Sequence, residues 1–274
     1  MAPIPAGTGD DTEDGAALFV PDGGRLVPTP RARGPWSPSA LHGGPVAALV
    51  ARDVEATPGG DDLQLARITL ELLRPVPLAP LRVASALTKP GRTVQLVDTV
   101  VEADGAEVAW ARSLRIRRAG EDQRATVTVP EDTPPRVPDD VASTPLETGG
   151  IPAFHNRGVE MRYVAGHAGR PGPATVWIRL LSPVVAGEAP SPWQRAAAAA
   201  DFGNGVSAEL PFGSGVFVNP DLTVSLHRPP RGEWVCLDAR TRFGTPGIGS
   251  ATSSLWDTDG RIGSAVQNLV VEIR

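Results

Sequence analysis

The 274-residue sequence contains a single cysteine, Cys236, and a single lysine, Lys89, among 26 cationic residues. One cysteine excludes an internal disulfide and any cysteine-built zinc cluster. Cys236 lies in the alternating run Glu-Trp-Val-Cys-Leu-Asp, which reads as a strand burying an inert thiol rather than presenting a nucleophile. No apolar run approaches the length of a membrane-spanning helix. The first fifteen residues are acidic and rich in Pro and Gly, without an apolar signal core, so a cytoplasmic location is the expectation. Positive charge is also in short supply, with a net charge of −5 and a pI near 5.4. No basic stripe can be drawn, and a nucleic-acid partner is not expected. The four histidines are scattered without metal-ligand spacing, and no serine sits in a Gly-x-Ser-x-Gly elbow.

The chain is long enough for one large core or two smaller ones without a covalent staple. Its apolar patterning falls into two blocks, residues 16–118 and 158–274, after an N-terminal segment 1–15. They are separated by a Pro-rich, acidic stretch, 119–157, that reads as a linker. In the first block Pro45–Ala56 has apolar residues at helical spacing, with Pro45 suited to a first turn and Pro58-Gly59-Gly60 ending it. Strand-like runs follow at Gln64–Leu73, Leu81–Leu87, Thr93–Ala103 and Val108–Arg117, with an Asp104-Gly105 turn between the last two. The second block repeats this order. A helix is expected over Pro192–Leu210, then strands at Val216–His227, Glu233–Arg242, Gly249–Asp257 and Ile262–Ile273, with an Asp259-Gly260 turn. Arg74-Pro75 and Arg228-Pro229 each follow a long strand. Arg74 precedes Gly105 by 31 positions, and Arg228 precedes Gly260 by 32. Self-similarity at nearly fixed spacing marks a duplicated unit. One helix per run of antiparallel strands, twice over, predicts an α+β fold of two sheets, each on its own helix.

These residues carry a family resemblance. The His42-Gly43-Gly44 start of the first helix, LELLRPVPLAPLRV and GRTVQLVDTVVEADGAEVAWARSLRIR resemble the N-terminal half of a double hotdog acyl-CoA thioesterase of the thioesterase II type, in its actinobacterial branch. AAADFGNG, NPDLTVSLHRPPRGEWVCLDARTRFG and DGRIGSAVQNLVVEI are similar to the C-terminal half. The resemblance implies two tandem hotdog units and hydrolysis of acyl-CoA without a cofactor. It also implies an apolar tunnel between helix and sheets for the acyl chain, and exposed sheet edges through which homo-oligomers can form. In such enzymes an Asp, a Thr or Ser and a Gln polarise a water. By motif these positions fall on Asp201, Asn219 and Gln267, with Thr223 four residues beyond Asn219 on the same strand. Asn219 departs from the family's hydroxyl, since an amide orients a water without being a hydroxyl donor.

Thioester hydrolysis needs a carboxylate to activate water and donors where the carbonyl oxygen turns negative. Asp201, after a run of alanines, suits the first role, and the free N–H groups of a helix start suit the second. Gly43 and Gly44 allow close backbone approach there. His42 is placed to cap the helix or to touch substrate, and Arg74 or Arg228 to meet a CoA phosphate. Each residue has a plainer reading: Asp201 as a polar residue at a helix break, Gln267 as a solvent-facing strand residue, Asn219 as a turn residue, the arginines as solvated strand ends. Two rival functions stay open. One is acyl-CoA or lipid binding without hydrolysis. The other is hydration of an enoyl-CoA, which needs an Asp/His pair, and no histidine lies near Asp201 in sequence.

Overall fold

The computed structural model describes residues 17–60, 62–120, 132–135, 151–167, 169–211, 213–244 and 246–273. The N-terminal segment 1–15 and most of the linker expected over 119–157 lie outside the described residues. A short hairpin, β1 (Phe19–Asp22) and β2 (Arg25–Pro28), leads to helix α1 (Gly43–Ala56). Strands β3 (Leu63–Leu72), β4 (Leu81–Lys89), β5 (Val94–Ala103) and β6 (Ala106–Arg117) complete the first unit. The second unit repeats the order with β7 (Val159–Ala165), β8 (Ala174–Leu180), α2 (Pro192–Ala200) and the short helix α3 (Gly203–Ser207). It continues with β9 (Gly215–Val218), β10 (Asp221–Leu226), β11 (Trp234–Phe243), β12 (Ile248–Asp257) and β13 (Gly260–Ile273). Each unit thus opens with a strand pair that the sequence reading missed. In the first unit these strands have only four residues each, too short to show a period.

The fold is α+β, but its two sheets are not separate. The strands run β1-β2-β4-β5-β6-β3-β10-β13-β12-β11-β8-β7, with β9 on the end of β13. Exchanging the two units reads this order backwards, as a duplication with an approximate twofold requires. The junction is the antiparallel pair β3–β10, in which Thr69 faces Thr223. Left apart, each strand would offer an unpaired row of N–H and C=O groups, and mutual pairing removes both edges. At one end of the sheet, β1 is covered by the segment after β8, since Phe19 N–H donates to Val184 O and Ala186 N–H to Phe19 O.

Helices α1 and α2 pack on the strands of their own units and against each other. Small side chains make this possible. Ala47, Ala48 and Ala51 on α1 and Ala196–Ala200 on α2 are almost wholly buried. The backbones approach so closely that a Cβ on Gly44 would stand 2.5 Å from Ala198 O. The crossing brings the start of α1 to the end of α2, where the site forms. The tight turn read at Asp104-Gly105 has φ of 49° and 76°, the left-handed pair a two-residue hairpin needs.

Candidate active site

Two interruptions in regular structure meet at the end of α2. The helix expected over Pro192–Leu210 stops at Ala200. Asp201 (φ −71°, ψ −10°) and Phe202 (φ −76°, ψ −11°) then turn the chain into α3. The last strand stabilises this turn: Gln267 Oε1 accepts the Asn204 N–H at 2.9 Å. A Cβ on Gly203 would lie 2.8 Å from Ser253 Oγ and 2.9 Å from Gln267 Oε1, so the turn needs glycine there. The strand expected over Val216–His227 breaks in the same way at Asn219-Pro220. Pro220 has no N–H for a ladder. Asn219 Nδ2 spans the gap, donating to Asp221 O at 3.0 Å and to Asp201 Oδ1 at 2.9 Å.

Asp201 is therefore held from several sides while only 7% exposed. Gln267 Nε2 donates to its main-chain oxygen and to Oδ1, both at 3.1 Å. Its Oδ2 lies 2.8 Å from His42 Nδ1. Gly43 packs against the carboxylate, and a Cβ there would come within 2.7 Å of Oδ2. A buried carboxylate with this many donors is satisfied rather than stranded. Gln267 is 1% exposed, and both ends of its amide are engaged within the protein.

The histidine absent from the neighbourhood of Asp201 in sequence is supplied in space by His42. Its Nδ1 also accepts the Gly44 N–H at 3.0 Å, as the N-cap of α1. One ring nitrogen cannot accept from Gly44 and donate to Asp201 at once. A proton on Nδ1 therefore ties His42 to Asp201, and its absence leaves the cap. The ring centroid lies 4.6 Å from that of Phe202 and 5.1 Å from that of Phe154.

Phe154 and His155 fall in the stretch that the sequence reading gave to a linker. The structure buries both, His155 at 2% exposure. Burial, helped by the neighbouring His42, lowers the His155 pKa from 6.5 to about 4. The unfolded chain therefore binds more protons than the folded one between these values. Stability should be full above about pH 6.5 and fall as pH drops toward 4. Urea midpoints measured near pH 7 and pH 5 should separate more for the wild-type chain than for His155→Asn; equal separations would show that His155 does not set this slope.

A cavity of about 400 Å³ opens beside these residues. Its walls include Trp36, Leu72, Val76, Phe202, Val218 and Pro220, with His42, Gly43, Asp201, Asn204 and Asn219 supplying polar groups. A long tunnel is expected between helix and sheet, and side chains of that layer are closely buried. Val46, Leu49, Val50, Ala196, Ala197 and Ala200, at most 1% exposed, occupy that layer. Arg74 is exposed and lines the cavity. Arg228 does not line it; its guanidinium makes a two-pronged ion pair with the fully buried Asp257. Thr223 also lies off the cavity wall, its hydroxyl 3.4 Å from that of Thr69. Cys236 is buried, and burial pushes its thiol pKa up.

The duplication repeats the helix-end geometry with different chemistry. Where His42, the N-cap of α1, meets Asp201 at the end of α2, Ser191, the N-cap of α2, donates to Glu55 near the end of α1 at 2.6 Å. A second cavity of about 570 Å³ lies there, lined by Glu55, Trp193 and Arg115 among others. The Arg115 guanidinium donates to Val54 O and Thr57 O and so closes the C-terminal end of α1.

Comparison with known proteins agrees with this architecture. The family model for the acyl-CoA thioesterase N-terminal domain matches residues 32–116, and that for the acyl-CoA thioesterase C-terminal domain matches residues 130–271. The chain belongs to the acyl-CoA thioesterase family and is a thioester hydrolase with a double hotdog fold. A hot dog fold protein from Alicyclobacillus acidocaldarius superposes with a TM-score of 0.70 at 19% identity, covering 96% of this chain and 98% of its own. An acyl-CoA thioesterase II from Mycobacterium marinum gives 0.64 at 15% identity, covering 86% and 90%. At such identities the likeness speaks for the fold. A search of curated protein sequences gave no match.

Proposed function

We propose that the chain hydrolyses acyl-CoA thioesters at the cavity beside Asp201, using water as the nucleophile and no covalent intermediate. The observation that carries this reading is the buried Asp201 carboxylate in the wall of an otherwise largely apolar cavity, oriented by Asn219, Gln267 and His42. Asp201 takes a proton from water as the oxygen attacks the thioester carbon. The carbonyl oxygen becomes negative beside the start of α1, where the Gly43 N–H and the positive end of the helix favour it. Collapse of the tetrahedral intermediate re-forms a carbonyl and breaks the carbon–sulfur bond. The proton held by Asp201 passes to the departing sulfur, leaving an acid and CoA. Asn219 and Gln267 act on the water through Asp201, since both amides donate to its Oδ1. Arg74 at the cavity wall suits a phosphate of CoA, whereas Arg228 is committed to Asp257.

The cavity also bears on the acyl group. With a methylene taking about the volume of a water, ~30 Å³, roughly a dozen heavy-atom groups fill the space, thioester and adjoining atoms included. Acyl chains up to about eight carbons fit that volume, and longer ones need the filled layer between helix and sheet to open. Thiol release measured from acetyl- to palmitoyl-CoA should peak in the short to medium range and fall at least about tenfold for palmitoyl-CoA. A maximum at palmitoyl would remove the size argument. No thiol release from any chain length would remove hydrolysis itself, leaving acyl-CoA binding.

The contact between His42 and Asp201 favours one second reading, hydration of an enoyl-CoA, which an Asp/His pair can perform. Loss of crotonyl-CoA enoyl absorbance without thiol release would identify it. Thiol release alone identifies hydrolysis.

A further inference from the structure

The water in this reaction has two protons. One proton leaves as the oxygen attacks, and holding the other O–H as a hydrogen-bond donor fixes the lone pair on the thioester carbon. Asp201 takes one. The other orienting amides are poorly suited to the second. Gln267 has its Oε1 on the Asn204 N–H and its Nε2 on Asp201. Asn219 spends its Nδ2 on Asp201 Oδ1 and Asp221 O, and its Oδ1 is not among the buried side-chain atoms without a partner in the described residues. Thr223 lies off the cavity wall.

Asn204 is different. It is 3% exposed and lines the cavity. Its Nδ2 donates to Phe217 O at 2.7 Å, so the other side-chain atom must be the oxygen. That Oδ1 is buried and has no hydrogen-bond partner among the described residues. A buried acceptor without a partner costs about 1–3 kcal/mol, so a donor reaching it is stabilising. Its place in the chain supports the same role. Asp201 and Phe202 have turn-like dihedrals, and Phe202 N–H bonds back to Ala199 O, three residues earlier. Asp201 and Asn204 are three apart, and both line the cavity.

We infer that Asn204 is the second holder of the attacking water: Asp201 accepts the proton to be transferred and Asn204 Oδ1 accepts the other. Asn204 is a positioning residue, and its role rests on the hydrolytic reading proposed above. The inference assigns the AAADFGNG segment a paired function, base and water clamp, separated by the single turn that Gly203 permits.

Asn204→Ala removes both the acceptor and the donor to Phe217. Asn204→Asp loses the donor but keeps an acceptor. Thiol release should fall roughly tenfold to a hundredfold in kcat for Asn204→Ala, with KM within about twofold, the loss expected for one hydrogen bond in a buried site. Asn204→Asp should recover part of that loss although it unfolds at a similarly lowered temperature. In a complex of the wild-type chain with a non-hydrolysable thioether analogue of acyl-CoA, one water should lie within hydrogen-bond reach of both Asp201 and Asn204 Oδ1. A water on Asp201 that does not touch Asn204 would overturn the inference even if the variants fail to fold. A raised KM at unchanged kcat would overturn it too, by moving the contact to an N–H of the substrate. If the wild-type chain releases no thiol, the hydrolytic reading falls and the inference with it. Wild-type hydrolysis alongside a fully active Asn204→Ala defeats the inference alone.

Discussion

Replacing Asp201 by asparagine should leave a folded protein whose thiol release is down by about a thousandfold, within the range assigned to a positioned general base. Asparagine matches aspartate in shape. Its Oδ1 can still accept from Asn219 Nδ2 and Gln267 Nε2, and its amide nitrogen would take the place now 2.8 Å from His42 Nδ1. The hydrogen-bonded frame between α2, β13 and the start of α1 therefore survives, and what disappears is the capacity to take a proton. The expected signature is a loss in kcat with little change in KM and a modest shift in unfolding midpoint. Turnover kept within about tenfold of wild type would show that Asp201 is not the base. Attention would then pass to His42, whose ring is the nearest alternative. A parallel His42→Gln variant separates the cases: as cap and support it should cost less than Asp201→Asn, and as base it should cost more.

Parts of this site can be read locally and parts cannot, for physical reasons visible at particular residues. Asp201, Asn219 and Gln267 stand out because each follows or interrupts a strong local pattern: an alanine helix, a strand before proline, an apolar last strand. Pro220 and the glycines at 203 and 205 also mark the two breaks in the chain, though the sequence reading carried helix and strand straight through them. The pairing of His42 with Asp201 has no local signature. It depends on how closely two helices cross, and that depends on Gly44 meeting Ala198 O. Phe154 and His155 were hidden for the opposite reason. Their neighbours in sequence are polar and Pro-rich, while their burial arises from docking beside His42 and Phe202. Arg74 and Arg228 show the same limit from another side. Both precede a proline after a strand, and only the fold reveals that one lines the cavity while the other is bound to Asp257. The duplication was legible as spacing. The fusion of both sheets across β3 and β10 was not, because either edge could equally have stayed open.

Gly43→Ala should damage the site strongly although it adds only a methyl group. Gly43 has no left-handed φ, and alanine is the better helix former, so backbone preference alone predicts a neutral or stabilising effect. Contact decides otherwise. The new methyl would lie 2.7 Å from Asp201 Oδ2, 2.9 Å from Oδ1 and 3.0 Å from Cγ. The carboxylate has little room to withdraw, being held by Asn219 and Gln267 on Oδ1 and faced by His42 at Oδ2. Either the carboxylate shifts and loses these contacts, or the start of α1 moves off α2. Displacement of a catalytic group by about an ångström can cost about a hundredfold in rate, and overpacking of this kind costs about 1–3 kcal/mol. A double-mutant cycle identifies the cause. In the wild-type background Gly43→Ala should lower both kcat and the unfolding midpoint. In an Asp201→Ala background the methyl has no carboxylate to meet, and the stability loss should largely vanish. If the loss persists unchanged without the carboxylate, the glycine serves the helix crossing rather than the site, and the close fit of Gly43 to Asp201 is incidental to catalysis.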